Sequence, residues 1–260
     1  MKRPRLFAAI LMVIAVLAVL VRVFPPKDWI PVPEPALTEQ TLPVPGLSDS
    51  PPPPAEGFFY SETFELGNAS LFASASFPGT GVAAIDEYYA AEIDGFKARA
   101  AALADEMRSA ELVVSSASLE YSESSEIIRD GDGILSFRRQ LYTYTGGAHE
   151  GLGVTCDNFR LPDGARLTLD DVFTAPREEY TQRLLAVFDK YIGENDDGRF
   201  FPDAEELLRE SFPYDRFCVT YNSLLFYFPP YTLGPFAAGI IEIPVELSEL
   251  ADIAEAGISP

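Results

Sequence analysis

The chain has 260 residues and carries 40 Asp and Glu against 19 Lys and Arg, a formal net charge of −21. Five of the basic residues (Lys2, Arg3, Arg5, Arg22 and Lys27) precede the first acid, Asp28, so residues 28–260 hold 14 basic and 40 acidic groups. That balance excludes nucleic acid as a partner, because phosphate binding needs clustered Lys and Arg, and it argues against the folded part lying on an anionic lipid surface. With 47% hydrophobic residues there is enough apolar material for one large domain or two small ones.

Two cysteines are too few for a disulfide-dense scaffold or a cysteine-only zinc site, and a single histidine excludes any metal site that needs two imidazoles. No metal or other cofactor is expected.

An apolar run extends from Leu6 to Phe24, interrupted only by Arg22. As a helix it would measure about 28 Å, close to one hydrocarbon core. The basic residues before it place the N-terminus in the cytoplasm, and no small-x-small cleavage site follows. Residues 1–24 therefore read as a cytoplasmic tip and an uncleaved transmembrane signal anchor, with the lipid bilayer met by residues 6–24. Residues 25–57 contain 11 of the 22 prolines. Such a segment favours polyproline II and cannot build a core, so it reads as a linker with a reach of about 100 Å.

From residue 58 the pattern is globular. Phe58–Leu66 and Ala69–Phe77 have strand composition around a Gly67-Asn68 turn. Val82, Ile85, Tyr89, Ile93, Phe96, Ala100, Leu103 and Met107 then recur at spacings of 3 and 4, the stripe of a long amphipathic helix. Strand character returns over 112–128 and over 134–145, flanking Asp130-Gly131-Asp132-Gly133, a hairpin signal. The acids of that turn, and those of Glu194–Gly198, lack the twelve-residue spacing of a calcium loop.

A strand over 152–161 leads to a short closing segment, Leu167–Phe173. A second helix follows Pro176, carried by Tyr180, Leu184, Phe188 and Tyr191, and a third covers 203–212. A hairpin around Asn222-Ser223 and a last strand over 239–245 complete the chain. The whole reads as α+β, an antiparallel sheet with amphipathic helices packed on one face, preceded by one transmembrane helix. A strand–helix–strand module (58–145) and a C-terminal α+β module (146–260) are expected to pack as one unit.

Few residues carry candidate chemistry. His149 is the one side chain whose ordinary titration suits acid–base work near neutral pH, yet no Gly-x-Ser-x-Gly elbow or cysteine nucleophile accompanies it. Residues 212–236 hold nine aromatics. Alternation along a hairpin sends about half of such residues into the core, and Tyr227 and Tyr231 are expected to stay exposed, as a stacking platform or interface anchor. Paired acids such as Glu178-Glu179 are the solvated faces of a very acidic chain. Cys156 and Cys218 fall in predicted strands, and a bridge between them would close a loop of about 60 residues, stabilising by roughly 4 kcal/mol through chain entropy.

The block Tyr142-x-Tyr144-Thr-Gly-Gly-Ala-His149, then Leu161-x-Asp-Gly164, Leu169-x-Asp171-x-Phe173, Phe226-x-Phe228 and Tyr231-x-x-Gly-Pro-Phe-Ala-Ala-Gly239 before Ile243-Pro244 resembles an extracytoplasmic domain of unknown function. That domain occurs in RsiV-type anti-sigma factors and beside the catalytic domain of PdaC-type peptidoglycan deacetylases. Residues 58–141 resemble its companion N-terminal module, so about 200 residues are covered. The resemblance implies an α+β domain outside a Gram-positive-type membrane, and for RsiV-like members a receptor that binds lysozyme.

Only five residues precede the apolar run and no deacetylase domain follows residue 260, so a binding module without either effector is expected. Tyr144, His149, Tyr227 and Tyr231 are its candidate contact residues, and a cationic lysozyme-like protein or peptidoglycan its candidate ligand. Two alternatives differ in class: a peptidoglycan-modifying enzyme or accessory domain using His149, and a structural wall-tethering protein.

Overall fold

A computed structural model of the protein describes residues 57–109 and 118–258. The predicted anchor at 6–24 and nearly all of the proline-rich segment lie outside the described residues. Among those described, no helix is long and apolar enough to cross a membrane.

Strands β1 (Phe58–Glu65) and β2 (Ser70–Phe77) form an antiparallel hairpin. Gly67 supplies the positive φ its turn requires, +89°. Helix α1 (Ala83–Ser109) then recrosses the sheet. Its start is fixed by Thr80 and Asp86: the Asp86 carboxylate accepts from the Thr80 N–H at 2.8 Å and the Gly81 N–H at 3.0 Å, beside the partial positive charge of the helix end. Its apolar stripe is buried along its length, from Ile85 through Tyr89, Ile93, Phe96, Ala100 and Ala104 to Met107.

Because α1 intervenes, β3 (Ser118–Gly131) returns parallel to β2. β4 (Ile134–Tyr144), β5 (Gly151–Arg160) and the short β6 (Ala165–Arg166) add antiparallel partners, giving a six-stranded sheet in the order β1-β2-β3-β4-β5-β6. The expected purely antiparallel sheet is thus corrected at one pairing, the β2–α1–β3 crossover.

The short closing segment 167–173 is built around a helical turn. Thr168 donates its N–H (2.8 Å) and hydroxyl (2.6 Å) to the Asp171 carboxylate, which nucleates one helical turn, α2 (Leu169–Val172). Helices α3 (Arg177–Glu194) and α4 (Ala204–Glu210) follow. β7 (Phe217–Val219), β8 (Ser223–Phe228) and β9 (Ile241–Glu246) then form a separate three-stranded antiparallel sheet. Two sheets therefore stand where one was expected, each with its own helix: α1 on the six-stranded sheet, α3 on the three-stranded one, where Phe188 meets Phe226 edge-on at 4.9 Å.

The described residues all fall within one compact unit. Where the sheets meet, Asn158 is buried and acts like a short strand, its amide donating to the Phe217 carbonyl (2.8 Å) and accepting from the Val219 N–H (2.9 Å). Val154, Cys156, Cys218 and Tyr227 form a small apolar cluster at the same seam. The mixed α+β architecture is as expected from the sequence.

Candidate binding surface

The strand registers sort the side chains of the large sheet. Leu71, Ala73, Ala75, Leu119, Tyr121, Phe137 and Phe159 are buried with α1. The opposite face carries Phe59, Ser76, Ser124 and Gln140 in one cross-strand row, and Ser61, Ser74, Ser122, Tyr142 and Leu152 in the next. At the Cys156 and Asn158 end this face meets the three-stranded sheet. Towards Tyr142 and Tyr144 it is open, and those two rings are half-buried.

The open face ends at the β4–β5 loop, where Gly146 has a φ of +91° and His149 is held outward. His149 Nδ1 lies 2.9 Å from the Glu150 carbonyl oxygen, and Nε2 lies 3.1 Å from the Tyr231 hydroxyl. A carbonyl can only accept, so Nδ1 carries the proton of the neutral ring and Nε2 accepts from Tyr231. Phe236 stacks on the imidazole, with ring centres 4.0 Å apart and planes at 21°. The sequence blocks ending at His149 and starting at Tyr231 thus meet in space as one exposed aromatic shelf.

The β8–β9 connection that presents this shelf is tightly determined. Tyr231 follows Pro229-Pro230 and sits in the left-handed region with φ +67°, unusual for a bulky residue. Its N–H donates to the Gly234 carbonyl at 2.9 Å, and the neighbouring Leu233 carbonyl accepts from the Phe201 N–H at 2.8 Å. Gly234 rests against the Arg199 backbone so closely that a Cβ would stand 2.0 Å from the Arg199 carbonyl oxygen.

The four expected contact residues therefore divide. His149 and Tyr231 touch each other, and the Tyr231 side is 60% exposed. Tyr144 lies half-buried on β4. Tyr227 does not belong to any surface. The expectation of an exposed ring is corrected, because its place on β8 turns it into the seam between the sheets, where it is fully buried with Arg138 5.5 Å from its ring centre. Burial pushes its phenol well above the ordinary tyrosine range. Phe236 is the shelf residue that sequence reasoning missed; its signal was the Gly-Pro-Phe-Ala-Ala-Gly block.

Tyr142 is also raised, first through partial desolvation and then by the negative charges of Glu150 and Glu120. Neither acid has a cationic partner among the described residues.

The same pattern holds for the surface as a whole. Of the 14 Lys and Arg after Asp28, every one but Lys190 lies within 4.0 Å of a carboxylate. The acids outnumber the cations, so among the described residues the excess carboxylates have no cationic partner.

His149 has no carboxylate on either nitrogen, and among the described residues no group of three His, Cys, Asp or Glu side chains is arranged to hold a metal ion. An acid–base role for His149 in wall chemistry thus lacks the orienting acid such a role uses. Two open cavities border other residues, the second of them beside Phe236 of the shelf. One, of about 350 Å³, is bordered by Asp132, Arg160, Asp171 and Glu255. The other, of about 420 Å³, lies between Asp197–Arg199 and Pro235–Ala238.

Cys156 and Cys218 are both buried and both free thiols. Cys218 donates its S–H to the Phe137 carbonyl at 3.3 Å, and burial followed by the neighbouring Cys156 raises its pKa. Iodoacetamide is expected to label neither in the native protein and both after unfolding without reductant. Failure to label the unfolded, unreduced chain would establish a bridge instead.

No match is found among curated proteins. Solved structures that share the fold include two of the DUF3298 family. A DUF3298 family protein from Pseudomonas aeruginosa PAO1 superposes with a TM-score of 0.58 at 15% identity, over 80% of this chain and 97% of that one. A member of the same family from Bacteroides fragilis superposes with a TM-score of 0.55 at 18% identity, over 78% and 93%. At these identities the likeness is one of fold. Residues 170–248, from α2 to the turn after β9 and including Tyr231 and Phe236, match the family described as "Protein of unknown function (DUF3298)", and the fold around them is one found in solved proteins of that family.

Proposed function

We propose that this protein is an extracytoplasmic binding module, held at the membrane by residues 6–24 and spaced from it by the proline-rich segment, whose ligand is a cationic protein acting at the cell wall. The observation that carries this reading is the distribution of charge. Nearly every cation of the fold is already engaged by a carboxylate, while acids such as Glu120 and Glu150 beside the open tyrosine face are not. A surface of this kind attracts positively charged proteins and repels anionic polymers. The resemblance to RsiV-type ectodomains points to lysozyme-like enzymes as that class of ligand, and the absence of a carboxylate partner for His149 weighs against the enzymatic alternative.

The test is titration of the full chain in neutral detergent with hen lysozyme and, separately, with purified peptidoglycan, at 50 and 150 mM salt. Lysozyme binding that persists at 150 mM is expected. Binding that vanishes at 150 mM would be non-specific charge attraction. Peptidoglycan binding with no lysozyme binding would replace this reading with a wall-tethering one. The anchor is tested by accessibility: protease added to intact cells should release the domain, and a fully protected domain would overturn the placement.

A further inference from the structure

We propose that the His149–Tyr231–Phe236 shelf is where a basic side chain of the cationic partner docks, and that protonation of His149 closes it. This deepens the preceding reading and rests on it. The first support is Tyr231 itself. Its backbone is held in a conformation that is costly for a non-glycine residue, yet its ring stays largely in water and is not the anchor of any core. The fold sustains that strain in order to display a phenol beside the only imidazole of the chain.

The second support is hydrogen-bond direction. With Nδ1–H committed to the Glu150 carbonyl, the neutral imidazole accepts the Tyr231 proton at Nε2. The phenolic oxygen then has lone pairs but no proton to offer outward, so a group that meets it must be a donor.

The third is the surroundings. The faces of Phe236 and Tyr231, with ring centres 6.2 Å apart, present negative π-density. Glu150 adjoins His149 in the loop, and Glu120 stands opposite Tyr144 on the neighbouring strand. Arg199, on the turn beneath the shelf, is engaged by Asp197 through Nε at 2.8 Å and Nη2 at 2.7 Å. A donor that is also positively charged, an ammonium or guanidinium, fits both the accepting oxygen and the negative surroundings. A phosphate or carboxylate fits neither.

Protonation reverses the arrangement. Imidazolium Nε2–H donates to Tyr231, whose own proton turns outward, so the shelf now presents a donor and a positive charge. The titratable groups facing His149 are Glu150 on its own loop, Tyr231 on the facing loop, Tyr142, Tyr144 and Glu120 on β4 and β3, and the neutralised Asp197–Arg199 pair below. Of these side-chain types, imidazole is the one that ordinarily changes charge between about pH 5 and 8.

The experiment measures binding of hen lysozyme, with poly-L-arginine as a second probe, to the full chain in neutral detergent at 150 mM salt. Wild-type affinity should fall about tenfold or more from pH 7.5 to pH 5.5. Tyr231→Phe, which keeps the ring but removes the oxygen, should lose about tenfold at pH 7.5, as expected for one hydrogen bond to a charged group. His149→Gln should bind with little pH dependence. Tyr231→Asn, which tolerates the left-handed backbone, should fold with a melting temperature no lower than that of wild type and bind weakly.

Wild type and Tyr231→Asn binding lysozyme equally, with no pH effect, would overturn the docking site while leaving the cationic-partner reading intact. No wild-type binding to either probe at either pH would overturn that reading itself. An N-acetylglucosamine oligomer that binds wild type and not Tyr231→Asn would reassign the shelf to a glycan.

Discussion

Replacing Arg139 with methionine should destabilise the protein by about 3–5 kcal/mol, the range for removing one partner from a buried charge network. Arg139 is only 6% exposed and serves three elements at once. Its Nη1 lies 2.6 Å from Glu92 of α1 and 3.0 Å from Glu123 of β3, and its Nε lies 2.9 Å from Asp157 of β5. The last contact is ionic and not a well-directed hydrogen bond, since the N–H points off the carboxylate. Asp157, with no exposed surface, also accepts from Tyr88 at 2.8 Å and Arg166 at 2.9 Å. The guanidinium further lies 5.4 Å from the Phe77 ring centre. Methionine fills much of the volume but leaves buried Glu123 with only Arg99 and buried Asp157 with only Arg166 as cationic partners among the described residues, both arginines half-exposed. Arg139→Lys should recover only part of the loss, because one compact ammonium cannot reach three carboxylates in different directions. Urea unfolding at pH 7 measures both, and a loss below about 1 kcal/mol for Arg139→Met would show that the network is dispensable.

The same variant should show a changed dependence on pH. Burial holds the Glu123 pKa above its ordinary value, and Arg139 is the strongest influence pulling it back down. A carboxyl raised in the folded state binds more protons folded than unfolded, so its contribution to stability falls as pH rises through the window between its unfolded value, about 4.3, and its folded value. Without Arg139 that window widens upward. The variant should therefore lose more stability between pH 4 and pH 7 than wild type does, and the gap between them should narrow at pH 4. A gap that stayed constant or widened on acidification would mean that Glu123 is not the group left exposed to the change.

How much of this was legible beforehand differs by interaction range. The α1 stripe and the strands around the Asp130–Gly133 turn follow from periodicity and turn chemistry, both local. The helical turn at Leu169 is signalled by Thr168-x-x-Asp171, whereas its apolar residues alone mark only a closing segment. The parallel β2–β3 pairing and the division into two sheets depend on which strands meet, and no local pattern states that. Arg139 and Asp157 stand 18 residues apart on adjacent strands and look like surface charges in the sequence; only the register reveals that they point under α1. Tyr227 and Tyr231, four residues apart, could not be separated by composition. One continues the β8 ladder into the seam, while the other leaves it after two prolines. His149 and Tyr231 could be named singly but not paired, because they stand 82 positions apart in the chain.

Gly234→Ala should reveal how far the shelf depends on its support. The obstacle is close approach and not backbone angle: an added Cβ would lie 2.0 Å from the Arg199 carbonyl oxygen and 3.0 Å from Ile241 Cδ1. Because the first of these is main chain, no side-chain rotation relieves it, and the cost should reach about 3 kcal/mol, the upper part of the usual range for overpacking. Relief requires the 229–236 loop to lift from the Asp197–Arg199 turn, which breaks the Phe201 to Leu233 hydrogen bond and carries Tyr231 away from His149. The variant should thus lose stability and any pH-dependent lysozyme binding together, whereas Tyr231→Asn should lose binding alone. Thermal melts and titrations of the two variants separate support from contact. If Gly234→Ala melted as wild type does, the loop would be adaptable, and the strain at Tyr231 would no longer mark a ring held in place by the fold.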